Sequence, residues 1–221
     1  MRLILVGPPG SGKGTQAKLL TDRLGLVHIG TGDILREAVR RGTGPGRLAE
    51  PFVKSGKLVP DDLVNELVAD RFRRDDRPER FVMDGYPRTL AQAASFDQVL
   101  RQQFLNLDAV ILLDVDDEEI VRRISCRWSC PEPSCLATYH TTMKPPQKPG
   151  ICDLCGSELK QRDDDREDTV RCRLEVYRRN TMELIPHYRA QKLLHEVRGQ
   201  GEIETIYNEI VKALSPSNSK K

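Results

Sequence analysis

The chain is predicted to be an α/β protein, a parallel sheet flanked by helices, and three observations predict it. Short aliphatic runs, Arg2-Leu3-Ile4-Leu5-Val6, Phe81-Val82-Met83 and Ala109-Val110-Ile111-Leu112-Leu113, each stop at a glycine or an aspartate. None alternates polar with apolar residues as a half-solvated strand would, so each suits a sheet covered on both faces. Each is also followed by a stretch with helical character, and that strand-then-helix order marks a doubly wound sheet whose ligands lie at the carboxyl ends of the strands.

Taken in order, residues 13–24 carry Ala17, Leu20 and Leu24 at helical spacing, and residues 27–29 form a second strand. Thr31 or Asp33 opens a helix expected to reach Arg41, where Gly42-Thr43-Gly44-Pro45-Gly46 interrupts it. Pro60-Asp61-Asp62 starts another helix that runs to Arg73, with acids at its positive end. From Cys126 to Asp165 the pattern changes to prolines (Pro131, Pro133, Pro145, Pro146, Pro149) and paired cysteines, which reads as a small inserted domain. Residues 167–190 resume a long helical pattern, 193–197 offer a last strand and 203–214 a closing helix. The tail from Ser215 onward is expected to fray.

With 221 residues and 38% hydrophobic content, the chain can bury a substantial core. Charged residues make up 31% yet the formal net charge is only +2, which disfavours a general nucleic-acid binder. The longest apolar runs fall well short of the roughly 18 residues of a spanning helix. No signal peptide or anchor is read at the start, so a cytoplasmic protein with no membrane partner is expected.

Gly7-Pro8-Pro9-Gly10-Ser11-Gly12-Lys13-Gly14-Thr15 follows a strand and opens a helix, the context in which a P-loop works. Glycines let backbone N–H groups turn around phosphate oxygens, the helix N-terminus adds positive potential, and Lys13 reaches the β- and γ-phosphates. The fold expected is therefore a P-loop NTPase-like core. Lys13 is followed by Gly14 rather than Ser or Thr, so the hydroxyl comes one place late, at Thr15. Asp84, at the end of a buried strand, is the alternative candidate to hold Mg2+ through water, and its simpler reading is a helix cap.

The P-loop, Thr31-Gly32-Asp33-Ile34-Leu35-Arg36, Gly56-Lys57-Leu58-Val59-Pro60 and Asp84-Gly85-Tyr86-Pro87-Arg88-Thr89, in this order, closely resemble the adenylate kinase family along essentially the whole chain. The resemblance implies transfer of a phosphoryl group between ATP and AMP to give ADP, by a protein expected to be a monomer. It places Thr31, Arg36, Lys57, Leu58, Val59, Gly85, Tyr86, Pro87, Arg88 and Gln92 at the AMP site. Gly10 through Thr15, with Arg123 and Arg127, are placed at ATP, and Arg162 and Arg173 at AMP and the transferring phosphoryl. Thr138, Tyr139 and Gly201 are ATP contacts by the same likeness, and Asp164 and Asp165 are an acidic pair that meets the arginines. Their bland reading is a solvated turn. The implied division is a core of residues 1–29, 60–125 and 166–221, an AMP-binding segment 30–59 and a lid 126–165.

Chemistry agrees, because phosphoryl transfer needs alignment and charge neutralisation, and guanidinium forks suit phosphate dianions. Lys13, Arg88, Arg123, Arg127, Arg162 and Arg173 are the candidate catalytic residues. Base identity is not read by these motifs, so donors or acceptors other than ATP and AMP stay open. A zinc-ribbon nucleic-acid binder is the rival from another class.

Six cysteines are present, and four fall in two pairs, Cys130 with Cys135 and Cys152 with Cys155. Such knuckles fit a four-thiolate structural metal site, with Zn2+ expected and Fe2+ or Co2+ also compatible. A disulfide reading is the alternative. Pro131-Glu132-Pro133-Ser134 widens the first knuckle by two residues over the family's usual spacing, and Cys126 and Cys172 have no partner by spacing.

Overall fold

A computed structural model of the protein describes residues 1–215; the rest of the tail expected to fray lies outside the described residues. The strands are β1 (Arg2–Val6), β2 (Val27–Gly30), β3 (Phe81–Asp84), β4 (Ala109–Asp114), β5 (Arg127–Ser129), β6 (Thr138–His140) and β7 (Leu194–Arg198). The helices are α1 (Lys13–Leu24), α2 (Thr31–Arg40), α3 (Gly44–Ser55), α4 (Asp61–Arg73), α5 (Leu90–Gln102), α6 (Asp117–Ser125), α7 (Glu167–Val176), α8 (Leu184–Ala190) and α9 (Ile203–Leu214). Five strands form one parallel sheet in the order β2-β3-β1-β4-β7, and β5 and β6 pair antiparallel in the insert. No helix among the described residues is long and apolar enough to cross a membrane.

Period-two alternation along the central strand divides the core. Leu3 and Leu5 pack with Ala17 and Leu20 of α1 and Ile206 and Ile210 of α9, whereas Ile4 and Val6 pack with Phe72, Phe81 and Phe96 on the other face. Phe72, Phe81, Phe96 and Tyr86 meet edge to face, with neighbouring ring centroids 5.2–6.1 Å apart. Burying each such ring contributes on the order of 2 kcal/mol, more than any one surface ion pair, so packing fixes the platform. The register places Leu5 beside Asp84, which sets the carboxylate directly next to the glycine loop that leaves β1.

Residues 42–46 do interrupt a helix, but a second one starts within them. The Thr43 hydroxyl caps α3 by accepting from Gly46 N at 3.1 Å. A Cβ at Gly46 would sit 2.0 Å from Ala38 O, so only glycine lets α3 lie this close to α2. The long helix read over 167–190 is likewise two helices joined by a π-type turn, Tyr177–Thr181. Pro186, in the first turn of α8, has no N–H to give to the preceding turn, and the helix restarts two residues before it. The last strand lies one residue later than its sequence pattern suggested.

The inserted segment has a core of its own, made by Cys130, Ala137, Tyr139, Cys152 and Leu159. An isolated bridge from Ser129 to Lys160 ties the two knuckles together, and one from Ile151 to Glu158 closes the second on itself.

Candidate active site

A cleft of about 520 Å³ opens at the carboxyl ends of β1 and β3 and is floored by the glycine loop. All residues expected at ATP line it: Gly10 through Thr15, Arg123, Arg127, Thr138, Tyr139 and Gly201. A smaller cavity of about 60 Å³ adjoins it and is lined by Thr31, Lys57, Val59 and Gln92. The two share Arg36, Leu58, Gly85, Arg88 and Arg173, while Pro87 and Arg162 line the larger alone. Of the residues expected at AMP, Tyr86 lines neither. It is buried beneath them, its hydroxyl within hydrogen-bond reach of Asn65 Oδ1 (2.8 Å) and Gln92 O (3.1 Å).

Lys13 folds back over its own loop, donating to Gly7 O at 2.8 Å and Pro8 O at 2.7 Å. Burial brings its pKa down to about 7, with the charges of Arg88, Arg173 and Arg127 adding to the effect and Asp84 opposing it. An ammonium so placed gains an ionic partner when phosphate enters. Asp84 is held below the ordinary carboxylate range: burial opposes ionisation, but His28, Lys13 and Arg88 outweigh it. His28 Nε2 stands 3.5 Å from Asp84 Oδ2 and was not singled out in the sequence; its place on the short strand β2 was the only available signal. Gly14 also finds its reason here, since a Cβ would lie 3.3 Å from Asp84 Oδ2. The usual hydroxyl residue after the P-loop lysine would crowd this carboxylate.

Around the cleft, cations and anions pair unequally. Arg173 Nη1 donates to Asp164 Oδ2 at 2.9 Å, Arg127 Nε to Asp165 Oδ2 at 2.9 Å, and Arg123 Nε to Glu119 Oε1 at 2.7 Å. Asp164 and Asp165 are buried, so the solvated-turn reading gives way to the arginine-meeting one. Burial lowers Arg162 and Arg173 to about 10 each, with neighbouring guanidinium groups adding to the shift. Among the described residues the Arg88 guanidinium has only a carbonyl partner, Gly85 O at 2.7 Å, and its pKa is lowered chiefly by burial. Such a cluster has positive potential in excess of its carboxylates, which is what a pair of phosphate chains would neutralise.

Contacts also span the cleft between α2 and the insert. Arg36 Nη1 lies 3.5 Å from Asp164 Oδ2, and Arg162 Nη2 lies 3.8 Å from Asp33 Oδ1. Thr181, in the π-type turn, donates to Arg88 O at 3.0 Å and anchors that arginine's backbone. Thr181 was not picked out from the sequence, because its partner lies far away along the chain, and Asp33, read there only as a helix start, also pairs with Arg36 Nη2 at 2.6 Å.

In the insert, one atom from each of Cys130, Cys135, Cys152 and Cys155 lies within 4.8 Å of all the others. Cys130 Sγ is 3.4 Å from Cys155 Sγ, and Cys135 Sγ is 3.6 Å from Cys152 Sγ. Tetrahedral bonds of ~2.3 Å imply sulfur edges of about 3.8 Å, so the donor set fits a metal of zinc type. All the cysteines are free thiols, which rules against the disulfide reading. The widened first knuckle is accommodated by Glu132 O, which accepts from Cys135 N at 3.0 Å and closes the turn. Tyr139 lines the cleft and its hydroxyl meets the sulfurs: the hydroxyl accepts from Asp153 N at 2.8 Å and lies 3.5 Å from Cys152 Sγ.

Comparison with known proteins agrees with this geometry. The family model for adenylate kinase matches residues 5–193. A protein named adenylate kinase from Caldicellulosiruptor bescii is 48% identical over 97% of this chain and 99% of its own length. Another so named, from Methanothrix thermoacetophila, is 45% identical over the same shares, and one from Archaeoglobus fulgidus is 47% identical over 95% of this chain and 96% of its own. With a glycine loop, paired cavities and guanidinium-lined walls on a parallel α/β sheet, the chain belongs to the adenylate kinase family.

Proposed function

We propose that the protein catalyses reversible phosphoryl transfer between ATP and AMP, giving two ADP. The observation that carries this reading is that two cavities, one floored by the P-loop, adjoin and share Arg36, Arg88 and Arg173. ATP would lie on the P-loop side of the larger cleft and AMP across the smaller cavity and the adjoining part of the larger, so that the transferring group passes where those guanidinium groups converge.

In this mechanism, the chain works by position and charge. Lys13 exchanges the carbonyls of Gly7 and Pro8 for phosphate oxygens, and Arg88, Arg123, Arg127, Arg162 (which donates to Ser129 Oγ at 2.9 Å) and Arg173 exchange carbonyl, hydroxyl or carboxylate partners for the charge on the moving phosphoryl. No general base is required. Asp84 would hold Mg2+ through water, and the ion when bound supplies neutralisation of phosphate oxygens. Residues 30–59 act as the AMP-binding segment and residues 126–165 as the lid. Closure of both expels water, which limits loss of ATP to hydrolysis. Cys130, Cys135, Cys152 and Cys155 hold a structural metal, Zn2+ by preference, with Fe2+ or Co2+ accepted by the same donors. The protein acts as a cytoplasmic monomer.

A panel of AMP, GMP, UMP and CMP, each with ATP and magnesium, tests the reading. ADP formation with AMP at a kcat/KM far above the others is expected. Comparable or better turnover of a pyrimidine monophosphate would replace it with another nucleoside monophosphate kinase.

A further inference from the structure

The smaller cavity combines the guanidinium groups of Arg36, Arg88 and Arg173 with aliphatic walls, Val53, Val59 and Val64, and one side-chain amide, Gln92. A phosphate belongs with the guanidinium groups and a flat base with the aliphatic walls, where the amide can read the edge of the base. An amide is a two-faced reader, because turning it by 180° exchanges donor for acceptor.

Here it cannot turn. Gln92 Oε1 accepts from Arg88 N at 2.8 Å, and Gln92 Nε2 donates to Asp61 Oδ1 at 2.7 Å. The backbone N–H can only donate and the carboxylate can only accept, so both partners dictate the same orientation. Asp61 is itself held, since Thr89 Oγ1 donates to its Oδ2 at 2.8 Å. Thr89 also caps α5 by accepting from Gln92 N at 3.1 Å, which fixes the backbone of the reader as well as its amide. Gln92 is almost wholly buried, with 2% exposure, so water offers no substitute for either partner. Reversal would set N–H against N–H and oxygen against carboxylate, leaving both contacts unmade. One hydrogen on Nε2 and one lone pair on Oε1 stay free for a ligand.

We propose that Asp61 is a specificity-determining residue: it locks the Gln92 amide so that the site accepts a 6-aminopurine monophosphate and refuses the 6-oxopurine analogue. The two bases present opposite edges, an amino donor beside an acceptor nitrogen in one and a carbonyl beside an N–H in the other. A fixed amide satisfies one and repels the other, whereas a turning amide serves both. The choice of AMP rests on the function proposed above, while the lock rests on the Asp61, Gln92 and Arg88 contacts.

The experiment compares kcat/KM for AMP and for IMP, with ATP as donor, in the natural protein and in Asp61→Ala. The natural protein is expected to favour AMP by roughly 100-fold or more, and the variant to narrow that ratio by roughly 10-fold, through the monophosphate KM with the ATP KM unchanged. Melting is followed alongside. If Asp61→Ala does not fold, Asp61→Ser keeps a polar side chain at the start of α4 but is too short to make both contacts, and gives the same readout. An unchanged AMP-to-IMP ratio in a folded variant, with both substrates weakened equally, would mean that Asp61 is merely structural and would overturn the lock. Absence of AMP turnover by the natural protein would instead overturn the functional reading beneath it.

Discussion

Stripping the metal from the cysteine cluster is expected to unfold residues 126–165 while leaving the sheet intact. Apart from its cysteines, the core of the insert consists of Ala137, Tyr139 and Leu159. Burial of side chains of this size contributes about 1.5–3 kcal/mol for each large one, so the three together supply about 5 kcal/mol. A four-thiolate metal contributes on the order of 10 kcal/mol, so the ion holds the insert together more than its apolar packing does. The sheet keeps two extensive apolar clusters that contain no cysteine and does not depend on the ion. Trp128 is the chain's one tryptophan, lies in β5 of the insert and is 38% exposed, so its emission reports this region alone. Chelation, verified by elemental analysis, should shift Trp128 emission to the red and remove amide protection across residues 127–160. Protection of β1 and β4 should persist. Unchanged Trp128 emission and unchanged protection in verified metal-free protein would refute the reasoning.

Tyr139→Phe should release metal about 10- to 100-fold faster to a colorimetric chelator, because the Cys152 sulfur loses the neighbouring hydroxyl, with melting of the sheet unaffected. A release rate equal to that of the natural protein would show that the contact does nothing. Lys13 stands at about 7 in the free cleft, so at pH 8 it is mostly neutral, and phosphate binding must recharge it. Calorimetry in buffers of different ionisation enthalpy should therefore show net proton uptake on ATP binding at pH 8 that falls away towards pH 6. Lys13→Met should abolish the uptake, and persistence in that variant would assign the proton elsewhere. Arg88→Ala should reduce transfer by ~10³ to 10⁵. Turnover within tenfold of normal by the folded variant would remove Arg88 from the reaction.

Much of this site is legible in the sequence because its chemistry is local. The glycine loop, Asp84 at a strand end and the paired cysteines each carry their signal within a few residues, and a parallel sheet brings strand ends together without further instruction. The α3 helix was hidden because Gly44, Pro45 and Gly46 resemble a breaker, and only its packing against Ala38 shows why a glycine stands there. Thr181 and His28 lacked any local mark, and Asp61 was marked only as an acid at a helix start. Each acts on a residue 93, 56 or 31 positions away, Arg88, Asp84 and Gln92 respectively, and such pairings exist only once the chain has folded. The doubt over the acidic turn had the same origin, since burial of Asp164 and Asp165 is a tertiary fact.

Titration with a linked diadenosine polyphosphate tests most directly the claim that two adjoining cavities hold two nucleotides end to end. One equivalent should bind, exclude both ATP and AMP, and bind less tightly when either Lys13 or Arg88 is replaced by alanine. A ligand that displaces ATP but leaves AMP binding untouched would contradict the account.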